Sequence, residues 1–255
     1  MVPHTEDGRV LFAVPWHDRV IVGTTDTEIP EASLDPVPLK EEIDFLLEHA
    51  AKYLTKDPKK EDILSAFAGI RPLIKSDTTH DSSSLSRDHH INISSSGLIT
   101  IAGGKWTTYR KMGEDVVDKA ISVAALDDRP SRTKWLNLYG WSADREGNGP
   151  FSVYGNNARD LKQMIKINPE LNELIHKELP YRKVEVLWGV RHEHARTVGD
   201  ILSRRTRALI LNAKAAIECA PVVARMMKKE LNKDDAWEKK TIAEFLKRAE
   251  TYIVR

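Results

Sequence analysis

The 255-residue chain has one cysteine, Cys219, so it can form no intrachain disulfide, and it fits a reducing compartment. It also lacks an excess of either charge. Lys and Arg number 39 against 38 Asp and Glu, and a net +1 does not suit a general coat for nucleic acid. No apolar run approaches the ~20 residues of a membrane-spanning helix. Met1-Val-Pro-His has no basic start leading into an apolar core. The chain therefore reads as soluble, or at most peripheral to a membrane.

Several catalytic and binding patterns are missing too. Neither the P-loop G-x-x-x-x-G-K-[ST] nor the dinucleotide turn G-x-G-x-x-G occurs. His192-Glu-His194 is not H-E-x-x-H, and residues two apart face different sides of a helix. His89 and His90 alternate across a strand, so no metal is expected. The serines of 82–84 and 94–96 read as turns, with no G-x-S-x-G elbow among them. "SRRTRALIL" is basic, but no interleaved aromatics support contact with bases, so no nucleic-acid partner is expected.

What is present divides the chain. "RVLFAVPW" and "RVIVGTTDT" are apolar, β-branched runs separated by His17-Asp18, the pattern of a hairpin. "LKEEIDFLLEHAAKYL" places Ile43, Leu46, Leu47, Ala50, Ala51 and Leu54 at helical spacing. "DILSAFAGIRPL" is strand-like up to Pro72. "HHINISSSGLITIAGG" reads as a second hairpin through Ser94-Ser95-Ser96-Gly97, followed by a helix from Thr107 or Thr108 with Met112, Val116 and Ala120 on one face. Residues 129–150 are rich in Gly, Pro and Asp and read as a linker.

Everything beyond the linker is helical in pattern. Thr197-Val-Gly-Asp200 has capping-box spacing, Pro221 suits a first helical turn, and "AWEKKTIAEFLKRAETYIV" turns Ile242, Phe245, Leu246, Ala249 and Ile253 inward. Arg182–Lys229 holds 11 basic and 4 acidic residues, a local +7 that is either a solvated helical surface or a patch for anionic lipid or a partner. The expected fold class is α+β: an incomplete antiparallel sheet with flanking helices over 1–128, the linker 129–150, and an all-α domain over 151–255. The first part shows little strand–helix alternation, as though half a domain were missing.

"ITIAGGKWTTYRKMGED" sets Gly103-Gly104-Lys105 between a strand and a helix. Glycines let the backbone approach a ligand, and the helix start aims N–H groups and partial positive charge at it. A phosphate, a carboxylate or an electron-rich carbonyl would suit, and so would a tight turn with no ligand. Arg71 and Arg87 stand at the ends of strand-like runs. Their planar forks suit a phosphate or a developing alkoxide, or a structural ion pair.

Taken together, "VPWHDRVIVGTTDT", "FAGIRPL", "SLSRDHHI", "ITIAGGKWTTYRKMGED" and "HEHARTVGDILSRRTRALIL" resemble the flavin-dependent glycerol-3-phosphate dehydrogenase family in order and spacing. The resemblance implies the C-terminal half of such an enzyme, starting within the substrate-binding sheet. By this resemblance Gly103, Gly104, Lys105, Trp106 and Thr107 contact FAD. Arg87 and Lys105 hold the substrate phosphate, and Arg71, the catalytic residue, lies beside its C2 hydroxyl. The general base and the fold gripping the ADP half of FAD are expected upstream, so the fragment should neither retain FAD nor turn over. The implied partners are glycerol 3-phosphate, a quinone and an anionic membrane surface, with a homodimer allowed. The implied location is cytoplasmic, peripheral to the inner membrane. An oxidase using oxygen, or a non-catalytic helical interaction module, are the alternatives.

Overall fold

The computed structural model describes residues 11–71, 89–143 and 149–254. Its contacts group into two compact units. One joins Met1–Ile70 with Ser142–Arg255, and the other is Arg71–Trp141.

The first unit opens with the expected hairpin, β1 (Phe12–Trp16) and β2 (Arg19–Gly23), antiparallel with Trp16 opposite Arg19 and Phe12 opposite Gly23. Its two-residue turn places His17 at φ 53°, the left-handed conformation that matches strand twist in tight hairpins. The hairpin rests on the helical part of the same unit. Trp16 packs against the main core, the Arg207 guanidinium lies 5.3 Å from its ring centre, and Tyr181 Oη meets His17 Nε2 at 3.5 Å.

Helix α1 (Lys40–Ala51) follows where its periodicity predicts. The Glu42 carboxylate accepts the Leu39 N–H at 3.0 Å and the Thr25 and Thr27 hydroxyls at 2.8 Å each, which ties the exit of β2 to the helix start. Negative charge there also complements the helix dipole. Leu54 falls beyond the helix end and is exposed.

The strand expected in "DILSAFAGIRPL" does not form over its described residues. The segment is extended, but helices satisfy its backbone. Ala66 N–H donates to the Tyr252 carbonyl (2.9 Å), Leu64 C=O accepts from Ala213 N–H (3.0 Å), and Ser65 Oγ donates to Leu209 C=O (2.8 Å). A buried backbone group needs a partner, and here helix ends supply it in place of a ladder.

The helical region contains α3 (Ala158–Ile167), α4 (Lys183–His192), α5 (Ala208–Leu211), α6 (Ala213–Glu230) and α7 (Asp235–Ala249). Asn212 caps α6 by accepting the Ala215 N–H at 3.1 Å, and its amide donates to Glu178. Pro221 is therefore not in a first turn but inside α6, where it cannot donate to the Ile217 carbonyl. A face of Ala213, Ala216, Ala220, Val223, Ala224 and Met227, all fully buried, offsets that loss. Cys219 lies on the same helix, and burial pushes its thiol up to about 12, so it is inert near neutrality.

The capping box at Thr197 forms as expected. Thr197 N–H donates to the Asp200 carboxylate (2.9 Å), and Asp200 N–H donates to Thr197 Oγ1 (3.2 Å). It leads into a π-helical turn, Asp200–Arg205. Burial alone would raise the Asp200 carboxyl. The N–H groups of Arg196 and Thr197, with the Arg204 charge, hold it below the usual range. On α7, Phe245 and Ala249 are buried while Ile242 and Leu246 pack at the core margin, as their spacing predicts; Ile253, beyond the helix end, packs there too.

The basic stretch 182–229 spends much of its charge internally. Arg191 forms a two-pronged pair with Glu230 (2.5 and 2.8 Å), and Arg204 pairs with Asp200. Lys183 meets Glu173, Lys228 meets Asp235 and Glu238, and Arg196 donates to two carbonyls. These contacts favour the structural side of the two readings of that segment.

The second unit contains β3 (His89–Ile93), β4 (Ile99–Gly103) and α2 (Tyr109–Ala124). The strands pair antiparallel, Ile91 opposite Ile101, through the expected Ser94–Gly97 turn. The two hairpins form separate two-stranded ladders among the described residues. No described residue of this unit is buried, and Trp106, Trp135, Leu136, Leu138 and Tyr139 are all strongly exposed. Small antiparallel sheets with a helical C-terminal region agree with the expected α+β class.

Candidate functional site

The Gly103–Thr107 stretch leaves β4 and enters α2 through a short 3₁₀ turn, Trp106–Thr108. Gly103 and Gly104 have φ of 75° and 77°, conformations glycine adopts without strain. Gly104 has a second requirement. A Cβ there would sit 2.5 Å from Met112 Sδ, 2.9 Å from its Cε and 3.3 Å from His89 Cβ. The backbone is therefore held close over Met112 of the helix that follows.

The turn's hydrogen bonds decide what it can offer a ligand. Lys105 N–H is already spent on Thr108 Oγ1 (3.1 Å), and Thr108 Oγ1 donates back to the Lys105 carbonyl (2.9 Å). Among the described residues, the N–H groups left without a helical carbonyl behind them are the first of the helical run, those of Trp106 and Thr107. Lys105 is exposed. Trp106 is 85% exposed and stacks on Tyr109 with ring centres 5.4 Å apart. Bare glycines, two N–H groups at a helix start, a cation and an accessible aromatic face fit an anionic or electron-rich planar group, such as a flavin or a phosphate.

Of the other expected residues, Arg71 is exposed, belongs to the same unit, and already has an interaction partner. Arg87 lies outside the described residues. The five residues Gly103–Thr107 thus come together on one turn. Two clefts among the described residues of the first unit, lined by residues such as Val37, Ile43 and Ile253 or Leu34, Ile70 and Tyr252, contain none of the expected site residues.

Two polar arrangements escaped the reading of the sequence. His89, set aside there, bonds through Nε2 to Asp115 Oδ2 at 2.9 Å. Asp115 also takes Lys111 Nζ at 2.6 Å, and Lys111, ahead of His89, holds its carboxyl below the usual range. In the first unit Glu185 is 6% exposed and accepts from Arg182 N–H (2.6 Å) and Tyr154 Oη (3.1 Å). Burial pushes the Glu185 carboxyl up to about 7 and raises the Tyr154 hydroxyl as well. His89 and Asp115 are 26 residues apart, Tyr154 and Glu185 31, so no short pattern marks either pair.

Comparison with known proteins bears on the same residues. A family profile described as the C-terminal domain of alpha-glycerophosphate oxidase matches residues 99–238, and one described as FAD dependent oxidoreductase matches residues 1–110. The chain is 40% identical over 252 residues to the mitochondrial glycerol-3-phosphate dehydrogenase of Mus musculus, covering 90% of this chain and 34% of that protein. The Homo sapiens counterpart is 39% identical over 255 residues, covering 91% and 35%. The chain thus spans about a third of the length of these relatives. The crystal structure of the Bacillus halodurans glycerol-3-phosphate dehydrogenase, complexed with FAD, matches with a TM-score of 0.76 and 25% identity, over 98% of this chain and 52% of that one. The Gly103–Thr107 turn lies inside both family matches, and the chain belongs to the FAD-dependent glycerol-3-phosphate dehydrogenase family.

Proposed function

We propose that the chain is part of a flavoenzyme that oxidises sn-glycerol 3-phosphate to dihydroxyacetone phosphate and delivers the electrons to a quinone. The observation that carries this reading is the Gly103–Thr107 turn: two left-handed glycines, unspent N–H groups and exposed Lys105 at a helix start. The chemistry that bound FAD would supply is acceptance of the hydride released from C2 of the substrate.

The chain's own residues do the rest. The N–H groups of Trp106 and Thr107, with Gly103 and Gly104 leaving room, would hold the flavin ring and would favour negative charge on it. Lys105 and Arg87 hold the phosphate. Arg71 orients the C2 hydroxyl and stabilises the oxygen as it gives up its proton. Residues 1–128 belong to the flavin- and substrate-binding domain, 129–150 link, and 151–255 form the helical domain. The whole enzyme works on the cytoplasmic face of the inner membrane, peripheral to it and against anionic lipid. No described helix is long and apolar enough to cross a membrane.

A second reading, the oxidase that passes electrons to oxygen, is favoured by the description of the profile matching residues 99–238. Peroxide formation in place of quinone reduction by the full-length enzyme would select it.

The 255 residues contain no G-x-G-x-x-G turn, so the ADP half of FAD has no expected grip. The purified chain should therefore be colourless, and FAD added to it should pass through gel filtration separately. Co-elution of yellow flavin with substrate-dependent dye reduction would sink that expectation.

In a full-length enzyme carrying these residues, Lys105→Ala or Arg87→Ala should raise KM roughly 10- to 150-fold. Each substitution removes a charge-assisted bond of about 1.5–3 kcal/mol that is present before and during the reaction. Arg71→Ala should lower kcat instead, because its partner gains charge mainly in the transition state. Steady-state kinetics separates the two, and a normal kcat for Arg71→Ala would refute its role.

A further inference from the structure

No described residue of the second unit is fully buried, so the described parts of its ribbon and α2 meet through half-buried side chains. Among the described residues, one side-chain hydrogen bond joins ribbon to helix: His89 Nε2 to Asp115 Oδ2, with side chains only 19% and 27% exposed. Strand register puts His89 opposite Gly103, and its Cβ would lie 3.3 Å from a Cβ on Gly104. Met112, one turn before Asp115, fills the same space from below. Lys111 takes the other oxygen of Asp115 at 2.6 Å, which orients the carboxylate toward the imidazole. One pair thus ties together three things: the strand, the bare glycine turn and the first turns of the helix that follows it.

We infer that His89, clamped by Asp115, is a positioning residue that sets the direction in which the Gly103–Thr107 turn presents its N–H groups and Lys105 to an anion. The inference rests on the anion-binding reading above. Binding groups held in place ahead of the ligand bind more tightly, because little ordering remains to be done on association. Releasing the clamp leaves every donor present but lets ribbon and helix drift. Affinity should fall with no contact to the ligand removed.

The ¹⁵N-labelled chain titrated with inorganic phosphate, read at the amides of Gly104, Trp106 and Thr107, tests this. Wild-type protein should show saturable shifts. His89→Ala and Asp115→Ala should each weaken phosphate about tenfold. The double variant should be no worse than either single one, as for residues acting as one unit. His89→Gln, whose amide N–H can still donate to Asp115, should stay within about threefold of wild type. A merely structural loss would not be rescued in this way, and would move signals throughout the unit. If His89→Ala does not fold, Asp115→Asn, of equal volume, carries the same expectation in smaller degree. Equal phosphate affinity in wild type and variants, or failure of the Gln rescue, overturns the inference alone. A wild-type chain with no saturable shift at the turn overturns it together with the anion-binding reading.

Discussion

Phe245→Ala should lower the stability of the first unit by about 3–5 kcal/mol. Phe245 is 2% exposed and heads the largest fully buried side chains. It projects from α7 into a core shared with Val223 and Met227 of α6, where α6 and α7 pack along their lengths. Removing the ring loses its transfer free energy and leaves a cavity the surrounding helices cannot fully close. Phe245→Leu should cost less, since it restores most of the volume. Urea unfolding followed by helical circular dichroism measures both. A loss within about 1 kcal/mol for Phe245→Ala, the range of a surface change, would mean that α7 does not hold this core together.

The second large effect is on pH dependence. Burial raises the Glu185 carboxyl from 4.5 to about 7, against the opposing bonds from Arg182 N–H and Tyr154 Oη, with the Glu193 charge adding to the rise. The folded chain therefore binds a proton between pH 4.5 and about 7 that the unfolded chain has released. Stability must fall as pH rises through that window, by about 3 kcal/mol if the whole shift is realised.

Tyr181, which burial raises to about 12, and Tyr154, raised further, do not titrate there. The lowered carboxyls of Asp200 and Glu230 act at lower pH and with the opposite slope. Glu185→Gln should remove the Glu185 component. Its unfolding free energy should match wild type near pH 4.5 and exceed it above pH 7. Parallel wild-type and variant curves from pH 5 to 8 would show that Glu185 ionises normally in the fold.

Much of the architecture was legible because it depends on local chemistry. The β1–β2 and β3–β4 hairpins follow from alternation and turn residues, and α1 and α7 from apolar spacing at 3.6 residues per turn. The capping box at Thr197 and Asp200 is a three-residue pattern that closes on itself. The Gly103-Gly104-Lys105 turn was visible for the same reason, since positive φ at consecutive residues before a helix calls for glycine.

Tertiary structure decided what depends on residues far apart in the chain. "DILSAFAGI" has the composition of a strand, but a ladder needs a neighbouring strand, and the carbonyls and N–H groups within reach belong to residues 209, 213 and 252. Pro221 follows the rule for a helix start in its own vicinity. The Asn212 cap and a buried alanine face begin α6 eight residues earlier and carry it through the proline. Lys105 N–H would have been assigned to a ligand, but Thr108 takes it once the 3₁₀ turn forms. His89 with Asp115, and Glu185 with Tyr154, join side chains 26 and 31 residues apart. Periodicity carries no information at that range, because helix and strand repeats register only the neighbours on one element. The sequence therefore determined most of the elements and where the Gly103–Thr107 turn lies. Only packing decided which polar groups meet, because a buried or half-buried polar atom bonds to whatever partner the assembled elements bring within about 3 Å.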